Sequence, residues 1–355
     1  MPEHLTRRGD GRLITMTGKQ IKDDLELGSK DAAERAKIPE LTGEDLETLY
    51  EIIIDANKVV AVKHGCEVVL SADAGGSTFW IDSGTSGLGM PIERSIAQGA
   101  LSERVLGLDI LQFPESDGSF KPAKVIVSYL ANVIHNTLHT SISPLEFMAM
   151  PNLGYFYKPD GQWPEPISLI REGKNDEARK SMEGAARECH DAIIYVAKHL
   201  RRVGVDGINI DTVGAAGDPD FYAALTATES LKKVYPDLAV QMGMATEAVH
   251  GFHTELKYAG ERLAGMWPHQ QLKVAEKAGV DIFGPVINTK PHLTFPWNLS
   301  RAVTFTKACV REATIPVHPN MGMGVGGVPM LETPPLDTVT RANKAMIEIA
   351  GVDGI

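Results

Sequence analysis

Ala350-Gly351-Val352-Asp353-Gly354-Ile355 closes the chain, and it is the third appearance of one pattern. Val203-Gly204-Val205-Asp206-Gly207-Ile208 runs on through Asn209-Ile210-Asp211. Ala278-Gly279-Val280-Asp281 runs on through Ile282-Phe283-Gly284-Pro285-Val286-Ile287. In each copy a helical segment closes on glycine, which suits the left-handed turn that stops a helix, and an apolar run suited to a buried strand follows. The last copy has the helix and the turn but only half a strand. It therefore reads as an incomplete polypeptide, cut inside a core element. Asp206, Asp281 and Asp353 lie 75 (281−206) and 72 (353−281) residues apart. Two strand–helix units per interval give a unit of roughly 36 residues, in the range of a (β/α)8 barrel of about 250 residues.

Working outward, short apolar runs alternate with longer amphipathic ones from about residue 107. Strands are expected at 108–113, 145–150, 206–211, 238–243, 263–267, 281–287, 315–318 and, truncated, 352–355. Helices are expected at 122–140, 166–201, 219–235, 245–258, 268–278, 297–313 and 335–349. Strand followed by helix, repeated, implies a parallel sheet. The fold class expected is thus α/β, a TIM barrel over 107–355 with its eighth strand truncated. Residues 1–106 form an N-terminal cap or extension. Its first 60 residues are polar and helical in pattern. Thr17 or Gly18 opens one helix through Ile21, Leu25 and Leu27; Thr42, with Asp45 three residues on, opens another through Leu46, Leu49 and Ile52 to Ile54. A β-like pair at 67–70 and 78–81, a glycine-rich segment at 84–89 and a helix from Pro91 to about 106 complete it.

Bulk composition narrows the function class. A chain of 355 residues, 43% hydrophobic and 23% charged, matches a globular enzyme. Its net charge of −11 argues against nucleic acid or an anionic membrane surface as partner. Three scattered cysteines, with no CxxC, form neither a disulfide framework nor a thiolate zinc site and point to a reducing compartment, the cytoplasm. The charged start, residues 1–12, lacks the apolar core of a signal peptide, and no apolar run reaches the ~18–20 residues of a membrane span.

A barrel keeps its chemistry where the strands end at their carboxyl side. Asp211 and Glu247 leave successive strands there, and two carboxylates at one mouth can hold a cation or divide acid and base roles. Each has a structural alternative, Asp211 as a loop or helix cap and Glu247 as a first-turn carboxylate. Gln241, Asn288 and His318 also sit at strand ends, and His269 starts a helix after Pro268. No histidine pair has metal-ligand spacing with a carboxylate; His250 and His253 read as a helix surface. Gly322, Gly324 and Gly327 match G-x-G-x-x-G, but Pro329, Pro334 and Pro335 intervene before the next helix, so the motif does not open one as a dinucleotide site requires. Lys290 follows a strand, where a Schiff-base lysine of a barrel lyase would stand. Tyr155, Phe156, Tyr157 and Trp163 either stack on an alkylammonium ion or pack their loop down.

Several stretches resemble the dimethylamine:corrinoid methyltransferases. They are Ala264-Gly265-Met266-Trp267-Pro268-His269-Gln270-Gln271, Pro296-Trp297-Asn298-Leu299-Ser300-Arg301-Ala302-Val303-Thr304-Phe305, residues 321–327, Pro329-Met330-Leu331-Glu332-Thr333-Pro334-Pro335 and the closing 350–355. Met150-Pro151-Asn152 and Asp211 with Ala215-Ala216-Gly217-Asp218 look like the same family. The resemblance implies a (β/α)8 barrel that moves one methyl from dimethylamine to the Co(I) corrinoid of a cognate corrinoid protein, releasing monomethylamine, in methylamine metabolism and methanogenesis. It implies a homo-oligomer that itself binds neither metal nor corrinoid. It further implies a pyrrolysine, encoded by an in-frame amber codon, directly after Ile355, so that the chain as it stands is an inactive fragment lacking its reactive residue. In that scheme Asp211 and Glu247 act beside the pyrrolysine, with Gln241, Asn288 and His318 as secondary candidates. The glycine loop of Gly322, Gly324, Gly326 and Gly327 admits the corrinoid. The rival readings are the Lys290 lyase or aldolase and a non-catalytic barrel remnant.

Overall fold

The computed structural model describes residues 3–68, 146–202, 204–249, 254–331 and 334–355. The expected β-like pair beyond residue 68, the segment at 84–89, the helix from Pro91, the strand at 108–113, the helix at 122–140, the 106/107 boundary and both His250 and His253 lie outside the described residues. The chain forms two compact units, one of Met1–Ser143 with Val286–Ile355 and one of Pro144–Pro285.

The Pro144–Pro285 unit is built on a parallel sheet. Strands β3 (Glu146–Ala149), β4 (Gly207–Val213), β5 (Ala239–Met244) and β8 (Ile282–Gly284) lie side by side in that order. The crossovers are helical: α3 (Pro166–Arg171) and α4 (Asn175–Arg202) join β3 to β4, α5 (Asp218–Val234) joins β4 to β5, and α6 (Pro268–Ala278) precedes β8. Register aligns Met148 with Asn209, Asn209 with Gln241, and Gln241 with Ile282. This is the strand–helix alternation read from the sequence. The described strands form a four-stranded parallel sheet in an α/β fold, and no closed barrel is seen among them.

Two expected elements of this unit do not form. A helix at 245–258 is replaced, in its described part, by a loop, because the backbone groups find distant partners. Val249 N–H donates to Met266 O, Thr246 O accepts from Gln271 Nε2 (3.4 Å), and Thr254 donates its N–H and hydroxyl to Asp218. The strand at 263–267 is a turn. Leu263 and Met266 are its buried residues, three apart rather than two, and Met266 N–H returns to Leu263 O. A two-rung hairpin, β6 (Lys257–Tyr258) with β7 (Glu261–Arg262), precedes it.

The other unit opens on a hairpin that the helical reading of residues 1–60 missed, β1 (Glu3–Arg7) with β2 (Leu13–Thr17). Its apolar residues mislead, since Leu5 and Leu13 are exposed while Thr6 and Met16 are buried. Helices α1 (Gly18–Ala36) and α2 (Gly43–Ile54) start where expected. Thr17 with Gln20, and Thr42 with Asp45, each close a reciprocal capping box. Of the apolar residues through which α1 was expected to run, Ile21 and Leu25 are buried and Leu27 is exposed. Helix α1 crosses α7 (Phe295–Glu312) closely enough that a Cβ on Gly28 would collide with Trp297 O. Ser300 donates to Leu25 O (2.6 Å), and the fully buried Arg301 pairs with Asp31 (2.7 Å) while its guanidinium lies over Phe305. Helix α8 (Leu336–Ala345) ends in one wider turn, Met346–Ala350.

The repeated pattern has one structural meaning in both units. Gly279 and Gly351 adopt left-handed conformations (φ 93° and 74°) just past their helices, and Val280 and Val352 are buried. Asp281 N–H donates to Val240 O while its carboxylate accepts from Val240 N–H (2.7 Å). Asp353 does the same with Val317, N–H to O and carboxylate from N–H at 2.9 Å. The aspartate thus clips the incoming strand to its neighbour with two bonds. The segment at 315–318 has no extended run of its own; Val317 holds its place through this clip.

Candidate functional site

Parallel sheets ordinarily bury both faces behind helices. The β4–β5 pair departs from that rule. On one face Ile208, Ile210, Val240 and Met242 are at most 2% exposed, and Phe283 of β8 joins them. The residues between them, Asn209, Asp211, Gln241 and Gly243, turn to the other face and are only half-buried. Alternation over 208–211 and along β5 thus sets a polar face opposite an apolar one.

Asp211 lies at the carboxyl end of this face. Its Oδ1 accepts from Thr212 N–H at 2.6 Å, and it extends across the neighbouring strand, so that a Cβ on residue 243 would fall 2.6 Å from it. Glycine at 243 therefore makes room for the carboxylate. Thr212 has φ 55°, a left-handed conformation that a β-branched residue adopts only under constraint. The carboxylate of Asp211 thus takes the N–H of the next residue of β4, as a local cap does. Glu247 lies on the loop after β5 and is 4% exposed. With no helix at 245–249, it is not a first-turn carboxylate. Thr246 Oγ1 donates to Ala248 O across it (2.8 Å), and the side chain of the buried Gln271 ties that loop to Met266. So Asp211 and Gln241 share one sheet face, and Glu247 follows the same β5 strand end.

Two buried carboxylates here were not singled out from the sequence. Asp218 and Asp220 open α5 and are wholly buried. Asp218 is consumed by Thr254. Asp220 Oδ2 accepts from Ala216 N–H (3.0 Å), and Oδ1 has no hydrogen-bond partner among the described residues. Burial pushes the Asp220 carboxyl up to about 7, against the pull of the N–H groups of Ala216, Phe221 and Gly214. The available signal was Asp-Pro-Asp at a helix start, which by itself reads as capping. Asn209 Oδ1 is likewise buried without a partner among the described residues.

The aromatic cluster resolves mostly toward packing. Trp163 donates to Glu188 (2.7 Å) and lies against Gly184 of α4, while Tyr155 is exposed. Tyr157 is half-buried, and its hydroxyl is pushed up by burial and by the charge of Asp220.

In the other unit, His318 is 8% exposed and its Nδ1 has no partner among the described residues. Burial holds its imidazole below the usual histidine range, with Asp353 pulling the other way. Its ring lies so close to Gly354 that a Cβ there would come within 2.5 Å of Cε1 and 2.7 Å of Cδ2. Asn288 pairs with Val325 as an isolated antiparallel bridge, Thr289 N–H donates to Gly324 O, and Gly326 N–H donates to Ile287 O. These bonds fold the loop of Gly322, Gly324, Gly326 and Gly327 onto residues 287–289. All four glycines have positive φ (129°, 87°, 65° and 82°). Gly327 packs against α7, where a Cβ on it would fall 2.7 Å from the Leu299 Cα. The following helix begins only at Leu336, so the spacing fails as a dinucleotide site in structure as in sequence. Asn298 binds both main-chain groups of Lys290 (2.7 and 3.0 Å).

Among the described residues no helix is long and apolar enough to cross a membrane, and no cluster of three or more His, Cys, Asp or Glu side chains could hold a metal ion. Residues 2–355 match the family described as dimethylamine methyltransferase (Dimeth_PyL). With essentially the whole chain matched, and an α/β fold whose parallel sheet has one polar face, this protein belongs to the dimethylamine methyltransferase family.

Proposed function

We propose that the protein transfers a methyl group from dimethylamine to the Co(I) corrinoid of a partner protein and releases monomethylamine, and that the polar face of β4 and β5 is where the amine is handled. The observation that carries this reading is the row Asn209, Asp211 and Gln241 on one side of a parallel sheet, with Gly243 leaving room for the Asp211 carboxylate. Family membership supplies the substrate class. We further propose that the parallel strands belong to a (β/α)8 barrel, supported by the 75- and 72-residue recurrence of the Gly-Val-Asp pattern and by the identical clips at Asp281 and Asp353.

The reaction forms a cobalt–carbon bond and breaks a carbon–nitrogen bond. Co(I), here a substrate on the partner, supplies the electron pair of the new bond; the old pair leaves on nitrogen, which must carry a proton to depart as methylamine. Asp211 and Glu247 are suited to hold the ammonium and manage that proton, and Gln241 to orient the amine by hydrogen bonding. In the second unit, Asn288, His318 and the glycine loop at 322–327 are proposed to serve the corrinoid and the pyrrolysine that the family reading puts directly after Ile355. His318 lies against Gly354, beside the backbone leading to that position. A homo-oligomer in the cytoplasm is part of the same reading.

The test is direct. The protein from its natural gene, in a host that reads the amber codon, is mixed with the cognate corrinoid protein in the Co(I) state and dimethylamine. Growth of the methyl-Co(III) spectrum in step with monomethylamine is expected. Its absence, with a corrinoid protein that accepts methyl from another donor, refutes the reading.

A further inference from the structure

Asp220 has no part in the reading above, yet it is the most conspicuous carboxylate of the Pro144–Pro285 unit. It is wholly buried, and one of its oxygens has no hydrogen-bond partner among the described residues. It belongs to the first turn of α5, whose N-cap, Gly217, offers no side chain to the helix end. Asp220 reaches back into the turn between β4 and α5, where its Oδ2 takes Ala216 N–H. Asp211 and the left-handed Thr212 stand near the end of β4, two and one residues before Val213, which leads into that turn. The turn is closed by two backbone bonds, Ala215 N–H to Thr212 O (3.3 Å) and Gly217 N–H to Gly214 O (3.0 Å). The first of these is long; Val213 O is held by Ala245 N–H (2.8 Å), and the Asp220 side chain adds a tie at Ala216, on the stretch that follows Asp211.

We propose that Asp220 is a positioning residue for Asp211, and that its protonation state sets how firmly the β4–α5 turn is held. An ionised carboxylate binds the turn's N–H groups more strongly than a neutral acid does. Burial opposes the ionised form, and the carboxyl is brought to about 7, so both forms are populated at neutral pH. Two titratable groups that face it, Cys189 and Tyr157, do not compete in that range. Cys189 of α4 is pushed up to about 12 by burial and by Asp220 itself, and the Tyr157 hydroxyl moves up for the same two reasons. Asp218, two residues away, is engaged by Thr254.

The test uses the full-length enzyme and the variant Asp220→Asn, which keeps the shape and an acceptor oxygen but does not titrate. One protonated-carboxyl infrared band with a midpoint near pH 7 is expected in the wild type and not in Asp220→Asn. Amide protection at Ala216, corrected for intrinsic exchange, is expected to rise about fivefold through the same range, consistent with the stronger bond to a charged acceptor. The rate arm rests on the methyl-transfer reading: kcat should step through the same midpoint in the wild type and be flat in Asp220→Asn, with KM little changed. No titrating band, or the same band in Asp220→Asn, overturns the proposal. A band without change in Ala216 protection also overturns it, using wild-type protein alone. Superimposable kcat profiles refute the positioning role and leave the methyl-transfer reading intact. An enzyme with no methyl transfer refutes that reading, and the infrared and exchange results still decide for or against Asp220.

Discussion

Gly243→Ala separates the candidate site from the stability of the sheet that carries it. Gly243 is a strand residue without positive φ, so alanine fits its backbone and even removes some unfolded-state freedom, a gain of about 0.5 kcal/mol. The conflict is confined to one atom. The new Cβ would stand 2.6 Å from Asp211 Oδ1 and 3.4 Å from its Cγ, so the carboxylate oxygen must withdraw by about 0.8 Å to reach ordinary contact. Rotating away costs about 1 kcal/mol of rotamer strain and weakens the 2.6 Å bond from Thr212 N–H, about 1–2 kcal/mol more. The net destabilisation is then about 2 kcal/mol, a fall of a few degrees in Tm for a chain of this size. A displacement near 1 Å at a positioned group costs about 100-fold in rate. The assay is kcat/KM for methyl transfer together with Tm, for Gly243→Ala, Asp211→Ala and the double variant. If Asp211 transmits the effect, Gly243→Ala costs almost nothing further once Asp211 is alanine. Full activity in Gly243→Ala, or losses that simply add in the double variant, refutes the reasoning.

Gly354→Ala should perturb His318, because the added methyl meets the buried ring along its edge and the ring has little room to move; a destabilisation of about 1–3 kcal/mol and a shifted His318 ring resonance are expected. Asp31→Ala should destabilise by about 3 kcal/mol in a denaturant titration, since it removes a carboxylate partner of the 1%-exposed Arg301. Stability should also carry two opposing pH dependences, which overlap between 3.8 and 6.5. His318 is depressed in the fold, so its contribution is lost as pH drops below the unfolded value of 6.5. Asp220 is raised from 3.8 to about 7, so its contribution is full below 3.8 and lost as pH rises through 7, by up to about 4 kcal/mol. Urea midpoints across pH check both arms, and Asp220→Asn should abolish the second.

What could be read from the chain was set by neighbours within a few residues. Thr17 with Gln20 and Thr42 with Asp45 announce two helices because a capping box is complete within four positions. Pro268 and Gly279 bracket α6 at the residues expected, and the Gly-Val-Asp repeat announces strands from their turns. Asp211 and Gln241 were accessible for the same reason, as residues closing strands in a strand–helix alternation.

The errors have the opposite origin. The stretch after β5 has helical periodicity but becomes a loop, because Asp218, Met266 and Gln271 take up its backbone and side-chain groups from 17 (266−249) to 36 residues away. The opening hairpin hid behind leucines that face outward, where β1 and β2 find each other through backbone pairing rather than apolar alternation. Asp220 carried no sign of its burial.

Sequence by itself determined the helix ends, the strand–helix rhythm and the family, since each is encoded in short patterns of residue type. Tertiary structure alone decided which carboxylates are buried, why residue 243 must be small beside Asp211, and where the 245–258 stretch goes. The physical reason is common to all three. Desolvation, close approach and the satisfaction of backbone hydrogen bonds depend on atoms that meet only after distant segments have packed, and no local pattern records them.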